Sequence, residues 1–162
     1  MKHLNRVFTL LILVSASLSY FGCGGGDDKQ SEEETQLNKL KSDQWTLVSA
    51  SDPSDRTAEY PGMKLTISGN FSEGGTYQYT STATSWPSVS PWKKDDSWKF
   101  QTGAVGSIIV RQADLQVINY ALSNSDKTLT LNFTYPETGP GFNNAGRVES
   151  VAGNWTFVFS RP

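Results

Sequence analysis

The sequence predicts an all-β domain, an eight-stranded antiparallel up-and-down barrel. Three observations carry that expectation. From Trp45 onward apolar residues recur with a period of two, no segment past residue 42 carries a helical stripe, and short turn-forming clusters separate the alternating runs. Aromatics make up 12% of the chain, with five tryptophans among plentiful threonine, serine and glycine, a mixture that suits strands and turns.

The strands follow in order, each with its approximate expected span in parentheses after the stretch that marks it. In "WTLVSAS" (44–50) Trp45 and Leu47 share a face, and in "KLTISG" (63–69) Leu65 and Ile67 do. "GTYQYTST" (75–82) pairs Tyr77 with Tyr79, and "DSWKFQ" (96–101) pairs Trp98 with Phe100. "GSIIVRQ" (106–111) and "DLQVINYALS" (115–123) are apolar on both faces, as well-covered strands are. "KTLTLNFTYP" (127–135) alternates most clearly, with Leu129, Leu131, Phe133 and Tyr135 opposite Thr128, Thr130, Asn132 and Thr134. "GNWTFVFS" (152–160) puts Trp155, Phe157 and Phe159 together. The separators "SGNFSEGG", "TGAVG", "QAD", "SNSDK" and "PETGPGFNNAG" are turn sequences.

Eight strands joined this way can close on themselves and remove their exposed edges. A two-sheet β-sandwich uses the same alternation and is the alternative. Closure would bring Trp45 near Arg161, where a guanidinium over the indole contributes about 0.5–2 kcal/mol and caps the closed end.

Before the domain lies a leader. Residues 1–22 carry a basic start (Lys2, His3, Arg6), the apolar run "VFTLLILV" and small residues after it. The run is far shorter than the roughly 20 residues of a spanning helix, and the pattern is that of a signal peptide. The single cysteine, Cys23, follows directly after Gly22. This junction resembles the lipobox of bacterial lipoproteins, which implies a cysteine diacylated through its sulfur and serving as the mature N-terminus. Several acyl chains, each buried CH₂ contributing about 0.8 kcal/mol, anchor stably.

Residues 23–42 are then expected to be a flexible tether, because "GGGDDKQSEEETQLNKLKS" has too few apolar residues to bury a core. Within it Ser31 and Glu34 have capping-box spacing, enough for a helical turn or two. Asp27 and Asp28 are similar to the acidic signal that sends some lipoproteins to the outer face of the outer membrane; a soluble spacer is the alternative.

Residues 43–162 form the domain. They resemble the lipocalin-like lipoproteins of Gram-negative bacteria, whose barrel opens on a "G-x-W-x-L" strand. Trp45 and Leu47 match that strand, Asp43 stands where the family usually has glycine, and Arg161 takes the place of the arginine that covers the first-strand tryptophan. The resemblance implies lipid anchoring at the outer membrane, on the periplasmic face or the cell surface.

Several functions are disfavoured by composition. Removing residues 1–22, with Lys2 and Arg6, leaves twelve bases against sixteen acids, a net charge of −4 that does not suit nucleic acid. The only histidine, His3, lies in the leader, and with Cys23 acylated no thiol remains, so no metal site, cofactor or catalytic set is expected. The acids, among them Asp52, Asp55, Asp95, Asp96, Asp126 and Glu137, fall at turns as solvated caps. The chain is read as a non-enzyme.

What remains is aromatic surface. "TSWPSVSPWKKDDSW" places Trp86, Trp92 and Trp98 close together, stiffened by Pro87 and Pro91. Trp98 reads as core. Trp86 and Trp92, with Tyr77 and Tyr79, are the candidate contacts for a small apolar or amphipathic ligand at the barrel mouth. The competing expectations are a loop that plugs the mouth over a filled core, making the barrel a structural or interaction part of an envelope complex, and glycan capture by Trp86 and Trp92.

Overall fold

The period-two runs pair in chain order. The computed structural model describes residues 30–136, 142–143 and 151–162. Its strands are β1 (Trp45–Asp52), the two-residue β2 (Ser54–Asp55), β3 (Lys64–Ser68), β4 (Tyr77–Thr82), β5 (Val89–Ser90), β6 (Asp95–Phe100), β7 (Ile108–Arg111), β8 (Val117–Ser123), β9 (Thr128–Tyr135), β10 (Phe142–Asn143) and β11 (Gly153–Ser160). The order β11-β9-β8-β7-β6-β4-β3-β1 is closed by pairing of β1 with β11. Closure runs from Thr46 opposite Ser160 to Ser51 opposite Thr156, with a bulge between Leu47 and Ser49 that bends β1. One sheet closed on itself is an eight-stranded antiparallel barrel and excludes the sandwich. β5 and β10 form a separate small pair, which alternation could not reveal in so few residues.

Each long strand turns its apolar set inward. Trp45, Tyr77, Tyr79, Trp98, Phe133, Tyr135, Trp155 and Phe157 are all buried. Phe133 and Phe157 stack with ring centroids 6.0 Å apart, and Trp155 and Phe159 extend the stack along β11. Gly153 starts β11 at φ +147°, and the Asp52 carboxylate lies where a Cβ would stand. Only glycine satisfies both conditions there.

The segment 32–41, expected as part of the tether, is instead a helix, α1 (Glu32–Lys41). Ser31 caps it by accepting from the Glu34 amide at 3.1 Å, three glutamates occupy its first turn, and Lys39 and Lys41 its last, all favourable to the helix dipole. Leu37 and Leu40, three residues apart, are buried against the barrel. The Trp45 indole donates to the Leu40 carbonyl at 2.8 Å, and Arg161 donates to the Lys39 carbonyl at 2.7 Å. Lys39 pairs with Asp126 at 3.3 Å. These partners sit at strand termini of one end, so α1 is that end's lid.

Candidate functional site

The opposite end is closed by the chain between β1 and β3 and by the segment before β6. Asp55 accepts from the Thr57 amide at 2.9 Å and starts a 3₁₀ turn, Thr57–Glu59, that delivers Tyr60 to the interior. The Tyr60 hydroxyl and Ser90 Oγ share a hydrogen bond of 3.0 Å, and Ser90 Oγ accepts from the Trp92 amide at 3.0 Å. The Trp92 indole donates to Ser81 Oγ at 2.9 Å. Its ring packs 5.2 Å from Tyr79 and 5.3 Å from Phe157. Trp92, one of the candidate mouth contacts, is thus a core plug with 3% of its surface exposed, as the expectation of a loop plugging the mouth has it. Pro87 and Pro91 rule out a central strand, but which way the indole between barrel and solvent turns is decided by the vacancy it fills.

The four residues expected at a ligand-binding mouth do not converge on one opening. Tyr77 lies at the α1 end, where its hydroxyl donates to Glu33 Oε1 at 2.8 Å. Tyr79 and Trp92 are interior. Trp86 is half-buried, edge-on to Tyr60 at 5.8 Å, with Lys94 Nζ 5.6 Å from its ring centroid. Arg161, named with Trp45 for closure, has its guanidinium carbon 4.4 Å from the Trp45 centroid. Cys23, the leader 1–22, Asp27 and Asp28, and the loop acid Glu137 lie outside the described residues.

Among the described residues the interior holds one charged side chain, which periodicity missed. Arg111 stands opposite Trp98 in the β6–β7 register and is fully buried. It donates from Nε and Nη2 to Asp114 at 2.9 and 2.6 Å, and from Nη1 to the Pro91 carbonyl at 3.0 Å. The guanidinium therefore fastens the loop that carries Trp92. The spacing of Arg111 and Asp114 across the "RQAD" turn is the sequence signal for this clamp. The Tyr79 hydroxyl lies in the field of Arg111 without completing a hydrogen bond of good geometry. Burial, the largest influence, holds that hydroxyl well above the usual phenol range.

Space inside is small. The interior cavity, lined by Leu40, Leu65, Tyr79, Trp92, Trp98 and Arg111 among others, measures about 20 Å³. That is room for about one water, and drug-sized ligands need roughly 300–1,000 Å³. Larger hollows lie elsewhere on the described surface. One of about 370 Å³ involves Asp52, Arg56, Glu59 and Ser88 at the Trp92 end. Another, about 420 Å³, is a shallow groove on the outer wall over β8, β9 and β11. Among the described residues no three His, Cys, Asp or Glu side chains converge as a metal site.

No protein-family model matches the chain, and no curated protein or solved structure matches it significantly.

Proposed function

We propose that the chain is a lipid-anchored protein of the bacterial cell envelope whose barrel is a non-catalytic contact module. It is held at the outer membrane through Cys23, and it works through its outside rather than through a bound interior ligand. The observation that carries this reading is the packed interior: among the described residues its central cavity measures about 20 Å³. An apolar ligand at the mouth would have to displace Trp92, which is buried and hydrogen-bonded to Ser81. The leader and the Gly22–Cys23 junction support the anchor.

Two measurements test the reading. Native mass spectrometry of the purified chain should show the protein mass with its acyl modification and no further small molecule, and tryptophan emission should not respond to fatty acids or sterol-like probes. A stoichiometric copurifying apolar ligand would overturn the contact-module reading. Cys23→Ser should abolish acyl labelling and release the chain from the membrane fraction; retention of the unacylated variant would overturn the anchor.

A further inference from the structure

The outward faces of β8, β9 and β11 carry no charged side chain. From Val117 to Ser123, from Thr128 to Thr134 and from Asn154 to Ser160, the outward positions hold only Asn, Thr, Ser, Ala and Val. Charge appears on two other strands, with Lys64 on β3 and both Asp95 and Lys99 on β6 exposed, while the outward positions Gln78, Thr80 and Thr82 of β4 are uncharged as well. Protein surfaces commonly devote about a quarter to a third of their residues to charge. The wall over β8, β9 and β11 is contiguous and has none.

The groove of about 420 Å³ lies on that wall, lined by Gln116, Asn119, Asn132, Thr134, Asn154 and Thr156. The register builds two rows. Asn119 stands opposite Asn132, which stands opposite Thr156; Thr134 stands opposite Asn154 in the next row. Thr156 Oγ1 donates to Asn132 Oδ1 at 2.7 Å, and Thr134 Oγ1 donates to Asn154 Oδ1 at 2.7 Å. Each bond fixes the plane of an amide and takes one of its oxygen's two lone pairs. The two amide nitrogens, which make no hydrogen bond among the described residues, keep their donors for a ligand, and each threonine oxygen can still accept.

An apolar element adjoins these donors. Val117, which also lines the groove, is 44% exposed, and Leu115, two residues before it, is 69% exposed. Leu115 is held at φ 56°, an uncommon backbone for a bulky residue. Asp114 accepts from the Gln116 amide at 3.2 Å while Arg111 grips the same carboxylate, so the turn presenting Leu115 is set from the core.

We propose that this wall binds a neutral oligosaccharide. Without cations it offers nothing to fix a phosphate or carboxylate. Sugar hydroxyls donate and accept in pairs, as the amide and threonine rows do, and the C–H face of a sugar ring suits Val117 and Leu115. Size suits the same occupant: the groove of about 420 Å³ falls within the roughly 300–1,000 Å³ of small-ligand sites. The site differs from glycan capture by Trp86, which lies against Tyr60 at the barrel end. It rests on the contact-module reading and names its surface.

The test is co-sedimentation of the full-length chain, in detergent, with insoluble chitin, amylose and cellulose. Retention on at least one is expected, unchanged between low and high salt because no ion pair contributes. Asn132→Ala with Asn154→Ala should weaken it by about tenfold or more at unchanged melting temperature, whereas Trp86→Ala should leave it intact. Asn119→Ala serves as a second variant should the pair melt early. No retention on any of the three, loss of retention in salt, or indifference to all the asparagine variants would overturn the proposal. An interior ligand seen by native mass spectrometry would instead overturn the contact-module reading, so the two failures are distinguishable.

Discussion

Arg111 and Asp114 form a two-pronged ion pair, 2.9 and 2.6 Å, with the guanidinium wholly inside the barrel. Removing one partner of such a pair costs about 3–5 kcal/mol, because the remaining charge is stranded, while replacing both by apolar groups is often neutral. The Asp114 side chain keeps 22% of its surface exposed, so water offsets part of the loss. Asp114→Ala should therefore destabilise by about 3 kcal/mol, read as a lowered urea midpoint. Asp114→Ala combined with Arg111→Met should recover much of it. A double variant weaker than the sum of both single losses would show that the pair does not act as a unit.

Trp92 and Trp86 should separate cleanly. Trp92 touches Tyr79, Phe133, Phe157 and Phe159 and anchors on Ser81, so Trp92→Ala leaves a large cavity and should cost about 3–5 kcal/mol. Half-buried Trp86 has Tyr60 on its edge and Lys94 over its ring, and Trp86→Ala should cost about 1–2 kcal/mol. Equal losses in chemical denaturation would contradict the placement of Trp92 as the plug.

Stability should fall at alkaline pH. Burial is the largest influence on Tyr60 and Tyr77, each pushed up to about 12, and the Glu33 carboxylate bonded to Tyr77 adds to the latter. Tyr79, Tyr120 and Tyr135 are raised too, chiefly by burial. In the unfolded chain these phenols ionise near 10. Above that pH the unfolded state binds fewer protons than the native state, so unfolding becomes easier as pH rises. The contribution is complete below about pH 10 and drains away toward the folded values near 12. The urea midpoint should be flat from about pH 8 to about 9.5 and then drop, with tyrosinate absorbance appearing together with unfolding. Tyrosinate absorbance that rises fully before the fold is lost would argue against buried hydroxyls.

Most of the eight long strands were legible because they alternate with one face apolar, as in Leu129, Leu131, Phe133 and Tyr135, and the two apolar on both faces were legible as short runs between turn sequences. Alternation decides strand face and register without reference to neighbours. Three features lay beyond it. Helix α1 buries only Leu37 and Leu40 among ten residues, so its composition reads as solvated tether, although Ser31 and Glu34 did mark its start. Trp92 directly follows Pro91, with no periodicity to orient it. Arg111 sits in an apolar strand as the one inward charge, and only tertiary closure shows that Asp114 and the Pro91 carbonyl satisfy it. The outer groove was hidden for another reason: Asn132, Thr134, Asn154 and Thr156 are ordinary outward residues until closure sets β9 beside β11.

Where the folded unit begins makes the final prediction. Composition places the boundary at Asp43, whereas α1 extends the fold to Ser31. Glu33 ties the helix to Tyr77, 44 positions away, and to the Gly74 amide at 3.1 Å. Starting the chain at Asp43 exposes the seats of Leu37 and Leu40, each worth about 1.5–3 kcal/mol of burial. It also removes the Leu40 carbonyl that the Trp45 indole donates to. The urea midpoint of this chain should be lower than that of a chain starting at Gln30. Urea denaturation followed by near-ultraviolet dichroism measures both, since Trp45 reports the lid directly. Equal midpoints for the two chains would mean that α1 contributes nothing to the barrel and that the boundary belongs at Asp43 after all.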